Sequence, residues 1–131
     1  MLDQLPPEFH YLLDPQTKAH AYLATTLRDG SPQVTPVWFT TDGAHILINT
    51  KLGRSKAANM RARPRVALAI PDPVRPNRYL QIRGQVVDFY EDETLIQRLS
   101  QIYDGVPFNV RPGDVRVTYK ILPTKITYYM Y

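Results

Sequence analysis

The spacing of apolar residues changes period several times along the chain, and each change marks an element. Pro6-Pro7-Glu8 precedes Phe9, Leu12 and Leu13, which fall on one helical face, and Pro15 closes the segment, so a short leading helix is predicted. From Ala19 the pattern becomes alternating and β-branched. Tyr22 to Leu27, Gln33 to Thr41 and His45 to Thr50 read as three strands, joined by turns at Asp29-Gly30 and Asp42-Gly43. Asp-Gly between alternating runs predicts an antiparallel meander.

Gly53 to Arg63 breaks that pattern. Ala57, Ala58, Met60 and Ala62 favour a helix there, and Pro64 stops it. Arg65 to Ile70 reads as a short buried strand, the Pro71–Asn77 stretch as a loop, and Tyr79 to Tyr90 as a long strand. Leu95, Ile96, Leu99, Ile102 and Tyr103 share one helical face, with Asp92 and Glu93 at the end where a helix favours negative charge. Asp114 to Ile121 and Lys125 to Tyr131 are the closing strands. The whole of 1–131 is expected to be one mostly β domain, with six or seven antiparallel strands and two or three short helices. A small barrel is the favoured closure, because it removes exposed strand edges.

Composition narrows the function more than the fold. With 44% apolar and 21% charged residues the chain can fold on its own core. No apolar run approaches the roughly 20 residues needed to cross a bilayer, so no membrane role is expected. The opening MLDQLPPEFH fits neither a signal nor a transit peptide. Cysteine is absent, which excludes thiol nucleophiles and thiolate metal sites, and a reducing cytoplasm is the expected location. His10, His20 and His45 stand singly without ligand spacing, so no metal site is expected. No P-loop, G-x-S-x-G or G-x-G-x-x-G motif occurs. Asp88, Glu91, Asp92 and Glu93 read as a helix cap, and no residue is assigned as catalytic.

Charge draws attention to one segment. Sixteen Lys and Arg against twelve Asp and Glu give +4, which favours an anionic partner of unspecified kind. Six of those cations (Lys51, Arg54, Lys56, Arg61, Arg63 and Arg65) fall within fifteen positions that hold no acid. Arg54 and Lys56 open a helix directly after a strand, where free N–H groups and the helix dipole favour an anion. A solvated basic helix face is the plain alternative. Pro36 is the second unusual feature. Proline within a strand implies an edge or a bulge, leaving backbone near Thr35 and Trp38 free to meet a ligand, though an ordinary edge strand would also hold it.

Taken in order, these pieces resemble the pyridoxamine 5′-phosphate oxidase-like superfamily, and most closely its small deazaflavin (coenzyme F420)-dependent branch. The resemblance rests on Tyr22 to Leu27, Asp29 to Val34, Pro36 to Phe39, Gly53 to Asn59, Pro64 to Leu68 and Tyr79 to Gly84. It implies a split β-barrel homodimer with cofactor sites in the interface. Arg54 and Lys56 would hold the cofactor phosphate, with Asn49 and Thr50 beside them. Backbone of Val34, Thr35, Pro36 and Val37 would face the ring system, and the strand beginning at Arg78 and Tyr79 would approach the site. The implied activity is an oxidoreductase passing hydride from F420, or FMN in its place, to a small unsaturated or carbonyl-type molecule. Lys51 or Arg75 would suit the acidic tail of F420. Haem is disfavoured, since no His lies in a ligand motif, and the shortness of the chain argues against pyridoxamine-phosphate oxidation itself. A non-catalytic flavin or F420 carrier is the alternative. A nucleic-acid binder using the basic helix lacks any recognition motif.

Overall fold

The computed structural model describes residues 1–131. Its strands are β1 (Ala21–Thr26), β2 (Pro32–Val37), β3 (Thr40–Thr41), β4 (Ile46–Lys51), β5 (Arg65–Pro71), β6 (Arg78–Glu91) and β7 (Arg116–Met130). Two α-helices, α1 (Ser55–Ala62) and α2 (Thr94–Tyr103), interrupt them. The seven strands form one antiparallel sheet in the order β2-β1-β5-β6-β7-β4-β3. The sheet does not close, since β2 and β3 remain its edges, so the architecture is a split barrel. No helix is long and apolar enough to cross a membrane.

The core follows from the alternation. Leu23, Ile48, Leu68, Ile82, Tyr119 and Ile121 point to one face and are buried together with Phe9 and Leu12 of the leading segment. That segment is a run of 3-10 turns (Leu2–Gln4, Pro7–Leu13 and Pro15–Thr17) in place of the single helix expected. Its prolines withhold the N–H groups that a longer α-helix would need.

Three strand expectations are corrected. Gln33 to Thr41 is not one strand, because β2 ends at Val37 and the chain crosses to the opposite edge of the sheet before β3. Burial of Phe39 in the core draws it across. The three-strand meander is therefore two separate hairpins, and β4 pairs with β7 instead of β2. The two closing strands are one, β7, with an irregularity where Pro123 faces Gly84 and Lys125 faces Arg83, leaving Thr124 unmatched. Proline is accommodated at such a bulge. Only glycine fits opposite it: a Cβ on Gly84 would lie 2.7 Å from Ile121 Cγ2 and 2.9 Å from the Leu122 carbonyl oxygen.

Pro36 sits on the edge strand, directly opposite Tyr22, and the β1–β2 register runs without a bulge. An edge strand can lack an N–H on its open side at no cost to the ladder. Asp92 ends β6's connection and caps α2, its carboxylate accepting from the Thr94 N–H at 2.9 Å and the Leu95 N–H at 3.3 Å.

Candidate functional site

A cleft of about 500 Å³ opens where the end of β4, the start of α1, the start of β7 and the β1–β2 hairpin meet. Its two ends differ in chemistry.

The basic end is built by a turn. Gly53 adopts φ +100°, a conformation that costs other residues strain, and this reverses the chain between β4 and α1. Arg54 occupies the N-cap, and the N–H groups of Ala57 and Ala58 both return to its carbonyl, at 3.1 and 3.2 Å. The N–H groups of Ser55 and Lys56 are left without an intrahelical acceptor. Arg54 and Lys56 make no ion pair and no side-chain hydrogen bond, and both line the cleft.

Arg116 completes this end and was not among the residues singled out from the sequence. It is 8% exposed. Its Nε donates to Asn49 Oδ1 at 2.8 Å, and its guanidinium lies 5.0 Å from the Phe108 ring centroid. Asn49 is in turn fixed by donating to the Asp92 carbonyl and to Thr118 Oγ1, both at 3.0 Å. The Asn49 amide thus positions Arg116, while Thr50, also buried, forms adjoining wall. Three cations share one partly buried hollow. Burial pushes the Lys56 ammonium below its ordinary value, with Arg54 and Arg116 adding repulsion. Burial lowers Arg116 as well, Arg54 acting in the same sense and Asp114 against it. Such a cluster disfavours its own charge unless an anion joins it, and forks and a point charge with free N–H groups form the donor set a phosphate requires.

The other end is aromatic and apolar. His20, Tyr22, Pro36, Val37 and Trp38 line it, with Ile96 of α2 behind. Trp38 stacks on Tyr103, with centroids 5.2 Å apart and planes within 3°. The Tyr103 hydroxyl donates to the Ala19 carbonyl at 2.5 Å, which anchors the stack.

Of the residues expected at the site, Arg54, Lys56, Asn49, Thr50, Pro36 and Val37 are brought together in this cleft. Val34 and Thr35 lie further along the edge strand and do not line it. Arg78 and Tyr79 are elsewhere in the same chain: Arg78 lies over the Tyr11 ring at 5.8 Å, and Tyr79 stacks on Tyr129 at 4.9 Å. A second hollow of about 360 Å³ adjoins the basic end and adds Lys51, Asn109, Arg111 and Asp114 to the shared Arg54, Phe108 and Arg116, with Lys51 Nζ 3.8 Å from Asp114 Oδ1. Arg75 is in the loop before β6, away from both.

A split barrel with an anion grip at one end of a cleft and an aromatic wall at the other is the form of a flavin-type cofactor-binding domain. Residues 8–129 match the pyridoxamine 5′-phosphate oxidase family model, and the chain belongs to that family. Among solved structures it is similar to an F420 reductase, at 34% identity and a TM-score of 0.83, covering 94% of this chain and 98% of that one. It is also similar to the conserved hypothetical protein Rv2991 from Mycobacterium tuberculosis (23% identity, TM-score 0.72, 95% of this chain and 85% of that one). The haem storage protein HutZ from Vibrio cholerae shares the fold at 16% identity and a TM-score of 0.69, covering 95% and 94%. Comparison with curated proteins gives no match. The fold alone therefore does not select the ligand, and the choice rests on the cleft.

Proposed function

We propose that the cleft binds a phosphate-bearing deazaflavin, F420, and that the protein is an oxidoreductase acting on a small unsaturated or carbonyl-type compound. The observation that carries this is the convergence of Arg54, Lys56 and Arg116 in a cleft whose lining holds no carboxylate and whose other end is flat and aromatic. The three cations would hold the phosphate, and Tyr22, Pro36 and Trp38 would flank the ring system. When bound, such a cofactor supplies hydride, and the protein supplies grip, orientation and exclusion of water. Arg111 in the adjoining hollow favours F420 over FMN, because it offers a cation to an acidic tail that FMN lacks, while Lys51 there is paired with Asp114 at 3.8 Å.

A homodimer belongs to this reading. The β-sheet register puts Pro36, Tyr22, Ala69, Gln81 and Thr127 in one row on the outer face, and Val34, Ala24, Ala67, Arg83 and Lys125 in the next. Three alanines form a trough there, beside Tyr22 at 43% and Val34 at 64% exposure. Tyr22 and Pro36 carry this face into the cleft, so a second copy seated on it would also wall the cofactor. Tyr79 shares the face with Gln81 and would be offered to that partner. The nucleic-acid alternative is not favoured, since Arg61 lies over Phe89 and Arg63 is bonded within the fold instead of forming a free basic face.

The test is a side-by-side titration with F420 and FMN, followed by the emission of Trp38, the single tryptophan. F420 is expected to bind more tightly, with an advantage that shrinks as salt rises and in Arg111→Ala. Equal or tighter binding of FMN at physiological salt would move the protein to the flavin branch.

A further inference from the structure

We infer that His20 is the catalytic acid of the cleft, the residue that delivers the proton accompanying hydride transfer. This rests on the oxidoreductase reading above and assigns the one component that reading lacks.

The three histidines have different surroundings. His10 has its Nε2 at 2.8 Å from the Leu5 carbonyl oxygen, and His45 has its Nδ1 at 3.0 Å from Asp42 Oδ2. Both rings are committed to local structure outside the cleft. His20 alone lines the cleft, and no hydrogen bond engages its ring nitrogens; it is held only by a tilted stack on Tyr103 with centroids 5.1 Å apart. The β1–β2 register, continued by one pair, sets His20 opposite Trp38, and His20 shares its side of the strand with Tyr22. The imidazole therefore stands at the aromatic end, away from the phosphate grip, where an acceptor molecule would meet the cofactor ring. It is also exposed, so solvent can restore its proton.

Other groups around the imidazole do not fill the role. Tyr103, packed against it from α2, has its hydroxyl proton committed to the Ala19 carbonyl, and burial raises its pKa. Arg54 and Lys56 from the α1 turn and Arg116 from β7 stand at the basic end, where an anion would hold Lys56 in its charged form, and guanidinium groups do not release protons near neutrality. Tyr22 on β1 is the remaining titratable neighbour, and a phenol is ordinarily a much weaker acid than an imidazolium. When bound, the reduced cofactor would supply hydride, its own C–H bond breaking as a C–H bond forms at one end of the acceptor's double bond. The π electron pair moves to the other end and takes the proton from the imidazolium, whose N–H pair stays on nitrogen. Solvent then returns that proton to the ring.

Two readouts test this. In a histidine Cε1–H spectrum of the intact protein, the His20 resonance should move when F420 is added, while His10 and His45 stay as internal references. In stopped flow, oxidation of F420H2 on the protein by the probe quinone menadione should slow by about 100-fold in His20→Gln. Cofactor affinity, read from Trp38 emission, should be retained. An unmoved His20 resonance under saturating F420, or equal rates for His20→Gln and wild type, overturns the assignment. A loss of rate confined to Tyr22→Phe gives the proton to the phenol and overturns it too. Absence of any F420-dependent change in Trp38 emission would instead defeat the cofactor reading itself, which keeps the two failures separate.

Discussion

Arg61 and Arg63 stand within nine positions of Arg54, yet the fold sends each of the three to a different task. Arg61 lies 4.7 Å over the Phe89 ring, and Arg63 donates through Nε to the Thr26 carbonyl at 2.6 Å and through Nη2 to Asn59 Oδ1 at 3.2 Å. Only Arg54 and Lys56 reach the cleft. Their place at the strand-to-helix turn was readable from the sequence, because Gly53 and the start of the α1 pattern mark it. Arg116 was not readable. It comes from a strand sixty positions downstream, and only the β4–β7 register brings it beside Asn49. An arginine between Val115 and Val117 in a strand pattern was the available signal. Truncating Arg54, Lys56 or Arg116 to Ala should each weaken F420 binding about tenfold to a hundredfold, the loss of a charge-assisted hydrogen bond of roughly 1.5–3 kcal/mol. Arg61→Ala should leave affinity unchanged, as isothermal titration would show. Lys56 has a second consequence. Its folded pKa is depressed, so its charge opposes folding below that value, and the penalty fades as pH rises through it. Lys56→Met should therefore raise the apo-protein's melting temperature by about 1–3 °C at neutral pH while it weakens the cofactor. A lowered melting temperature would contradict the repulsion.

Among the elements, α2 and β7 carry the site more than their patterns indicated. Asp92 and Glu93 read as a helix cap, and Asp92 is one; it also accepts from Thr118 Oγ1 at 2.9 Å, which links the cap to Asn49 and so to Arg116. Burial acts to raise the Asp92 pKa but is outweighed by the Thr94, Thr118 and Leu95 hydrogen bonds, so the value is lowered. The stability it contributes is full above the ordinary carboxylate range and is lost as pH falls through the depressed value. Asp92→Ala should cost about 1–2 kcal/mol in urea unfolding, with a smaller acid-dependent loss than wild type. It should also weaken cofactor binding by loosening Arg116. Strand existence was well marked by alternation and the Asp-Gly turns. Strand pairing was not, because the crossing from β2 to β3 depends on where Phe39 is buried, and burial of one residue is a tertiary decision. The bulge in β7 was hidden for a similar reason: Pro123 reads as a break unless Gly84 is known to face it. Gly84→Ala should cost about 1–3 kcal/mol, since neither Ile121 nor the Leu122 backbone can yield cheaply.

At the scale of the molecule, the proposed homodimer would seat a second copy on the sheet face that Ala24, Ala67 and Ala69 share with Gln81, Thr127, Arg83 and Lys125, beside the cleft. Sedimentation should show a dimer at micromolar concentration, and the outward substitution Ala67→Arg should shift it toward monomer and weaken F420 together. A monomer that binds F420 with full affinity would break the link between assembly and site. Assembly and turnover both follow from the proposed binding of a phosphate-bearing deazaflavin in this cleft. Its most direct measurement is calorimetric titration of the purified protein with F420 at physiological salt. Saturation at one cofactor per chain with a Kd of about 10 μM or tighter is the expected result. No heat and no change in Trp38 emission up to millimolar F420, with the protein folded, would contradict it.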